Sequence, residues 1–537
     1  MSILFDQIAT EIAARPAQVE AAVALLDEGA TVPFISRYRK EVTGGLDDTQ
    51  LRKLQERLHY LRELEDRRDA ILKSIKEQEK LTPDLERQIR GVGTKTELED
   101  LYLPYKQKRR TKATIAKEAG IQPLADMLYE DPTKDPEAEA QAFLNEEAGF
   151  ADTKAVLDGA KHILIEQFSE DLDAAERHPC ENLIAGFWKI EDKGRAADSW
   201  LFEVVRWTWR VKLQSHLQTD FLTEIRERAE TDAIEVFAKN IKDLLLAAPA
   251  GKKVTIGMDP GLRTGVKLAA VDATGKVLDH GAIFPNQPQN KVAEAAATLL
   301  QMCKKYGVEL ISIGNGTASR ETDAFVATLL KAHPELKAQR VIVSESGASV
   351  YSASELAALE FPDLDVTIRG AVSIARRLQD PLPELVKIDP KSIGVGQYQH
   401  DVSQVKLARS LDGVVEDCVN SVGVDVNSAS VPLLKRVSGL NQTLVNNIIE
   451  FRDANGSFKS RNDLKKVPRF GDKSFEQAAG FLRVNESDNP LDASAVHPES
   501  YGVVQAIAKK NARDVKSMIG DVVFIRGLNP QDYVTPA

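Results

Sequence analysis

The sequence predicts a multidomain, mainly α-helical protein with one α/β sheet domain near its middle and paired helical hairpins toward its C-terminal end. Three observations carry that reading. The N-terminal region shows apolar residues at helical spacing. Between residues 251 and 385, short apolar runs alternate with helical stretches, the pattern of a mixed sheet. Between Val431 and Arg483 two turn-and-helix units recur, with ten Lys or Arg against five Asp or Glu in a chain of net charge −11. The expected segments are a helical region at 1–250, the sheet domain at 251–385, a helical connector at 386–430, the hairpins at 431–485 and a helical tail at 486–537.

At 537 residues there is room for several domains. Hydrophobic content of 43% and charged content of 28% are those of a soluble globular protein. No apolar run approaches the roughly 18 residues that a membrane span needs. The start, Met1-Ser-Ile-Leu-Phe-Asp-Gln-Ile, lacks a basic region, an apolar core and a cleavage site, so export is not expected. Cys180, Cys303 and Cys418 are scattered, which suits a reducing cytoplasm and excludes a disulfide framework. The acidic total alone argues against nucleic acid, so local charge has to decide.

Taken in order, Phe5–Ala14 and Gln18–Glu28 are amphipathic and broken at Pro16 and Gly29. Val32-Pro-Phe-Ile-Ser-Arg-Tyr-Arg-Lys-Glu joins an apolar patch to charges and reads as a loop packing Phe34 and Ile35 into a helical core. Leu51, Leu54, Leu58, Leu61 and Leu64 form the apolar stripe of a long helix from Gln50 to Leu81. Tyr102-Leu-Pro-Tyr-Lys-Gln-Lys-Arg-Arg-Thr-Lys follows, with Lys106, Lys108, Arg109, Arg110, Lys112 and Lys117 and no acid among them. Aromatic and basic residues interleaved in this way serve phosphate contact and base stacking, or else form a solvated helix face. Ala116–Gly120 with Pro123–Leu128 offers a helix-turn-helix within about 98–130. In Trp200–Trp209, the residues Trp200, Val204 and Trp207 share one helical face, which reads as core.

The sheet domain opens with Val254, Ile256 and Met258, a buried strand ending at Asp259-Pro260-Gly261, a tight turn. Val266–Val271 and Val277-Leu278 complete a meander. A helix over Lys291–Tyr306 stops at Gly307, and Val308–Ile313 is the next strand. Thr322–Lys331 is helical, Val341–Val343 is a strand delivering Ser344-Glu345-Ser346, and Ala371–Leu378 is a helix leading to Asp380. Carboxylates at the carboxyl ends of successive strands point into one crevice, where an RNase H-like fold keeps its metal-binding acids.

Several of these strings, Asp259-Pro-Gly-Leu-Arg-Thr-Gly, Ile313-Gly-Asn-Gly-Thr-Ala-Ser-Arg-Glu-Thr and Ser344-Glu-Ser-Gly-Ala-Ser-Val-Tyr-Ser-Ala-Ser, form a set. With Arg369-Gly-Ala-Val-Ser-Ile-Ala-Arg-Arg-Leu-Gln-Asp-Pro-Leu and Gly394-Val-Gly-Gln-Tyr-Gln-His-Asp-Val, the set resembles the YqgF (RuvC-resolvase-like) domain of the bacterial Tex family of transcription accessory proteins. The resemblance covers nearly the whole chain. It implies a multidomain fold, mainly α, with one α/β RNase H-like (YqgF/RuvC-like) domain and tandem helix-hairpin-helix motifs. It also makes Val32–Glu41 a hallmark of the family's N-terminal domain. Against the family pattern, Ser169–Pro179 looks abridged, and the usual continuation into an OB-fold RNA-binding module after Asp521 is missing from these residues.

The hairpins are Val437-Ser-Gly439-Leu440-Asn441 ahead of one helix and Val467-Pro-Arg469-Phe-Gly471-Asp-Lys473 ahead of another, with Gly471 read in the place matching Gly439. Glycine lets a hairpin backbone approach a phosphate and present N–H groups at a helix N-terminus. Such contacts ignore base identity. The expected nucleic-acid residues are Gly439, Leu440, Asn441, Lys465, Lys466, Arg469, Gly471 and Lys473, with Lys106, Lys108, Arg109 and Arg110 upstream. The alternative is an αα-hairpin pair serving as an interdomain brace. Expected partners are single- or double-stranded RNA or DNA and the transcription or translation machinery, with no membrane.

Two-metal phosphodiester cleavage wants about four converging carboxylates. Asp259 and Glu345 take the first two places by resemblance, and Asp380 is the third candidate. Three residues to either side of Asp380 stand Arg377 and Pro383, a cation and a helix breaker where another acid belongs. Glu384 is the remaining substitute. The expectation is a decayed site in a sequence-independent nucleic-acid-binding protein, with no cofactor. The alternative is a structure-selective nuclease using a divalent metal, and an actin-like ATPase is a third, weaker reading.

Overall fold

Five short strands form one mixed sheet, its three central strands apolar and almost wholly buried and its two outer strands largely exposed or half-buried. They are β1 (Thr255–Asp259), β2 (Val266–Val271), β3 (Val277–Ile283), β4 (Leu310–Gly314) and β5 (Gln339–Val343). Their order is β3-β2-β1-β4-β5. The first three make the expected antiparallel meander, whereas β4 and β5 join in parallel. The parallel joins need crossovers, supplied by the helices Val292–Tyr306 and Ser319–Ala332. The first of these stops at Gly307, in the left-handed region at φ 64°.

The computed structural model describes residues 2–106, 111–171 and 181–534. The basic residues Lys108, Arg109 and Arg110, and most of the stretch read as abridged, lie outside the described residues. The chain folds as two compact units, one of Met1–Leu58 with Glu230–Ala537 and one of His59–Ala229.

In the first unit the helix Val366–Gln379 lies across the sheet, and glycine makes that approach close. A side chain at Gly257 would strike the backbone of Ala371 and Ala375. A larger apolar cluster lies beyond the sheet. It unites Phe34, Phe237, Ile241 and Leu245 with the helix Gln404–Val422 and the hairpin residues Val437, Leu444, Phe458 and Phe475. Val32–Tyr38, expected as a loop, is a helix capped by Thr31 with Pro33 in its first turn. Its Phe34 and Ile35 are buried as expected.

The second unit is helical. Lys112–Glu118 and Gln122–Glu130, joined through Gly120 at φ 82°, pack with Thr153–Asp171 and Asp198–Trp207 around a core that includes Leu124, Ile163, Phe168, Trp200 and Val204. Trp207 departs from the expected core stripe, being 42% exposed. No helix of the described residues is long and apolar enough to cross a membrane.

Candidate nucleic-acid interface and carboxylate crevice

Asp259 closes β1 beside the helix Val366–Gln379, and that helix carries Gly370 where a Cβ would come within 2.9 Å of the Asp259 Oδ2. Glu345 follows β5. Its amide donates to Asn315 Oδ1 (3.0 Å), and its carboxylate rests over Gly314 and Gly316, where any side chain would collide with it. Glu345 Oε2 is buried without a hydrogen-bond partner. Burial, and then the charge of Glu345, push the Asp259 carboxyl up to about 6, with Lys267 pulling the other way. The two acids thus share one crevice, as expected.

Asp380 does not join them. The helix Val366–Gln379 runs antiparallel to β1: Gly370 meets Asp259 at one end, while at the other Ala250 and Gly251 donate to Leu378 and Gln379. Ten residues of helix separate Gly370 from Asp380, about 15 Å. Asp380 therefore lies near the opposite, N-terminal end of β1, where burial raises its pKa and the Leu382 amide partly offsets that. Glu384 is no substitute, being buried in an ion pair with Lys387 (2.9 Å). Arg377 is only 4% exposed and braces the Glu345 loop, donating to the carbonyls of Ser344 (3.1 Å) and Ser346 (2.8 Å). Among the described residues no three His, Cys, Asp or Glu side chains gather as a metal site would require. The residues present do not fit a two-ion arrangement.

The hairpins share a register of thirty residues, which can be read from paired bonds. Val437 and Val467 donate to Leu434 and Leu464; Leu440 and Phe470 donate to Val437 and Val467. In that register the partner of Gly439 (φ 77°) is Arg469 (φ 63°), not Gly471. Gly471, at φ −77°, is the N-cap of the helix Asp472–Ala478 and corresponds to Asn441. Asn441 caps Gln442–Asn455, accepting from the Leu444 amide (3.0 Å). Gly439 is required twice over, by its left-handed backbone and by Gln477, whose Cβ would lie 2.6 Å from an added Cβ.

The cations distinguish the two turns. Lys473 donates to the Glu28 carbonyl (2.5 Å), which ties it to the N-terminal segment. Lys465 pairs with Asp472 (3.3 Å) over the Phe475 ring, and Lys466 pairs with Asp463 (2.7 Å). Arg469 and Lys435 are exposed, as is Lys106 in the other unit. The Asp472 carboxylate is 96% exposed at the first position of its helix, so the second turn presents an acid where a phosphate would sit. At the first turn Asn441, Gln442 and Thr443 are all exposed and uncharged.

Sequence reasoning missed what the Val32–Tyr38 helix does. Thr31 bonds Ser438, Arg37 donates to the carbonyls of Asn420 (3.2 Å) and Ser421 (3.3 Å), and Tyr38 donates to Gly480 O (2.9 Å). Arg39 pairs with Glu476 and Glu499 beside a cleft of about 800 Å³. The N-terminal segment is thus bolted to the hairpin region. The one signal available was the crowding of Arg37, Tyr38 and Arg39 against an apolar pair.

Family models agree with this layout. A Tex-like protein N-terminal domain matches residues 2–76, and a Tex central region-like model matches in two pieces, 131–177 and 172–237. The Tex protein YqgF-like domain matches 253–379 and a helix-hairpin-helix motif 419–483. An HHH domain matches 489–537, in the part read from sequence only as a helical tail. Protein YhgF of Escherichia coli (strain K12) is 54% identical across 98% of this chain and 77% of its own length. That alignment spans 598 positions, more than the 537 residues here, so the relative carries residues opposite gaps in this chain. Protein tex of Bordetella pertussis is 53% identical over 99% of this chain and 77% of itself, and Transcriptional accessory protein Tex of Neisseria gonorrhoeae is 52% identical over 98% and 78%. On these matches the chain belongs to the Tex family.

Proposed function

We propose that this protein binds nucleic acid without regard to sequence, as a transcription accessory factor, and that its first hairpin makes the principal phosphate contact. The observation carrying this reading is the first turn itself. Gly439 lets the backbone fold back, Asn441 caps a fourteen-residue helix, and the exposed residues at its start include no acid in the first turn. Such an N-terminus offers N–H groups and a partial positive charge to a phosphate oxygen. The local excess of five positive charges between Val431 and Arg483 draws the polyanion in. Relatives bearing transcription-accessory names support the cellular role.

The nuclease reading has one observation in its favour, the convergence of Asp259 and Glu345. A third acid near the far end of β1 and the Arg377 brace count against it. We take the crevice as a scaffold.

Binding to single- and double-stranded DNA and RNA over a salt series tests the proposal. An Asn441→Asp variant keeps the capping oxygen but adds a negative charge. It should bind about tenfold more weakly, from an added repulsion of roughly 1.4 kcal/mol. Equal affinity in the variant, or no binding by the natural chain at low salt, overturns the assignment. Divalent-metal-dependent cleavage that Asp259→Asn abolishes would establish the nuclease reading instead.

A further inference from the structure

Trp207 stands where the sequence pattern puts core, yet much of its indole faces water. Val204 and Trp200, one and two turns earlier, are buried. Directly after Trp207 the chain winds as a π-helix over Thr208–Leu213, with the Gln214 amide reaching the Trp209 carbonyl. A ladder of i→i+5 bonds brings residues five apart nearly above one another, so exposed Lys212 rises beside Trp207. Lys161 Nζ lies 5.5 Å from the indole centroid, tethered by Glu203 (2.8 Å) and Asp158 (3.2 Å). Next on that helix comes His162, whose pKa is lowered by burial first and then by Lys112, Lys161 and Lys212, against Asp158. Lys112 and Lys212 therefore both lie within Coulomb reach of His162, and both are exposed.

We propose that this face of the His59–Ala229 unit is a separate contact for single-stranded nucleic acid, with a base stacked on Trp207 and its flanking phosphates against Lys112 and Lys212. The exposed part of the indole offers a π face, and every base has a face that can stack on one. Lys112 and Lys212 supply the exposed positive charge near His162 that a phosphate backbone requires. A duplex hides its base faces within the stack, so an indole platform selects the single strand. The hairpins meet only backbone. This contact therefore gives the chain a preference that they cannot.

Binding of an oligothymidylate and of a duplex of equal length to the full chain decides the matter. Trp207→Ala should weaken single-strand binding about tenfold, Trp207→Phe should restore most of it, and duplex affinity should change less than about twofold. Tryptophan fluorescence should fall on adding the single strand, and Trp207→Phe should abolish that quenching. Lys112→Ser with Lys212→Ser should shallow the salt dependence by about two phosphates. The quenching should persist in Asn441→Asp, which separates this contact from the hairpin reading. Unchanged single-strand affinity in Trp207→Ala, or an equal fall for duplex and single strand, overturns the proposal.

Discussion

The Asp259 carboxyl carries a stability consequence whose sign is unusual for an acid. Its folded-state pKa, about 6, lies above the ordinary 3.8, so folding favours the protonated form. That contribution is whole below about pH 4 and is lost as pH rises through about 6. Asp259→Asn should therefore be more stable than the natural chain at pH 8, by about 1–2 kcal/mol, and no more stable at pH 4. Urea midpoints at the two pH values measure this; a gain at pH 4 as large as that at pH 8 would refute the cause given. Glycines divide just as sharply. Gly439→Ala meets both a left-handed backbone and the Gln477 side chain, and should cost about 2–4 kcal/mol. Gly471→Ala has open space and a negative φ, and should cost no more than about 1 kcal/mol. Sequence showed two glycines in similar strings. Only the bonded register showed that Arg469, not Gly471, takes the left-handed place.

Secondary elements were the most legible level. Strands and helices of the sheet domain fell near their expected places because period-2 and period-3.6 patterns report burial directly. Direction was not legible: nothing in Ala371–Leu378 says that its helix runs against β1, and that direction takes Asp380 away from Asp259. Small elements held by a buried arginine were equally hidden. Arg461 is almost wholly buried, and its guanidinium donates to the carbonyls of Leu482 (2.8 Å), Val496 (2.6 Å) and Ser494 (2.5 Å). A sequence reader counts that residue as a surface cation for phosphate. Arg461→Met leaves those carbonyls without a donor and should destabilise the hairpin region by about 3 kcal/mol or more. Amide hydrogen exchange over 482–501 should speed up accordingly, and unchanged protection there would show the clamp to be idle.

The whole molecule has a layout that composition could not reveal. The His59–Ala229 unit interrupts the other, and the helices Asp48–Glu77 and Gln214–Leu245 each run through a boundary between them. Charge is likewise distributed by region, so a total of −11 coexists with a basic hairpin region and a basic face around Trp207. Salt should weaken binding in proportion to the phosphates held, and a slope near zero would deny both surfaces. The bolt between Tyr38 and Gly480 spans 442 positions of sequence. A ribosome adding about 5–20 residues per second needs roughly 20–90 s to get from one to the other. Throughout that interval Phe34 lacks the last-made part of its apolar cluster, Phe475 and Phe481. Nascent chains halted before Gly480 should thus have a protease-sensitive leader that becomes resistant once translation passes the hairpins, and maturation of the N-terminal domain is timed by the far end of its own message.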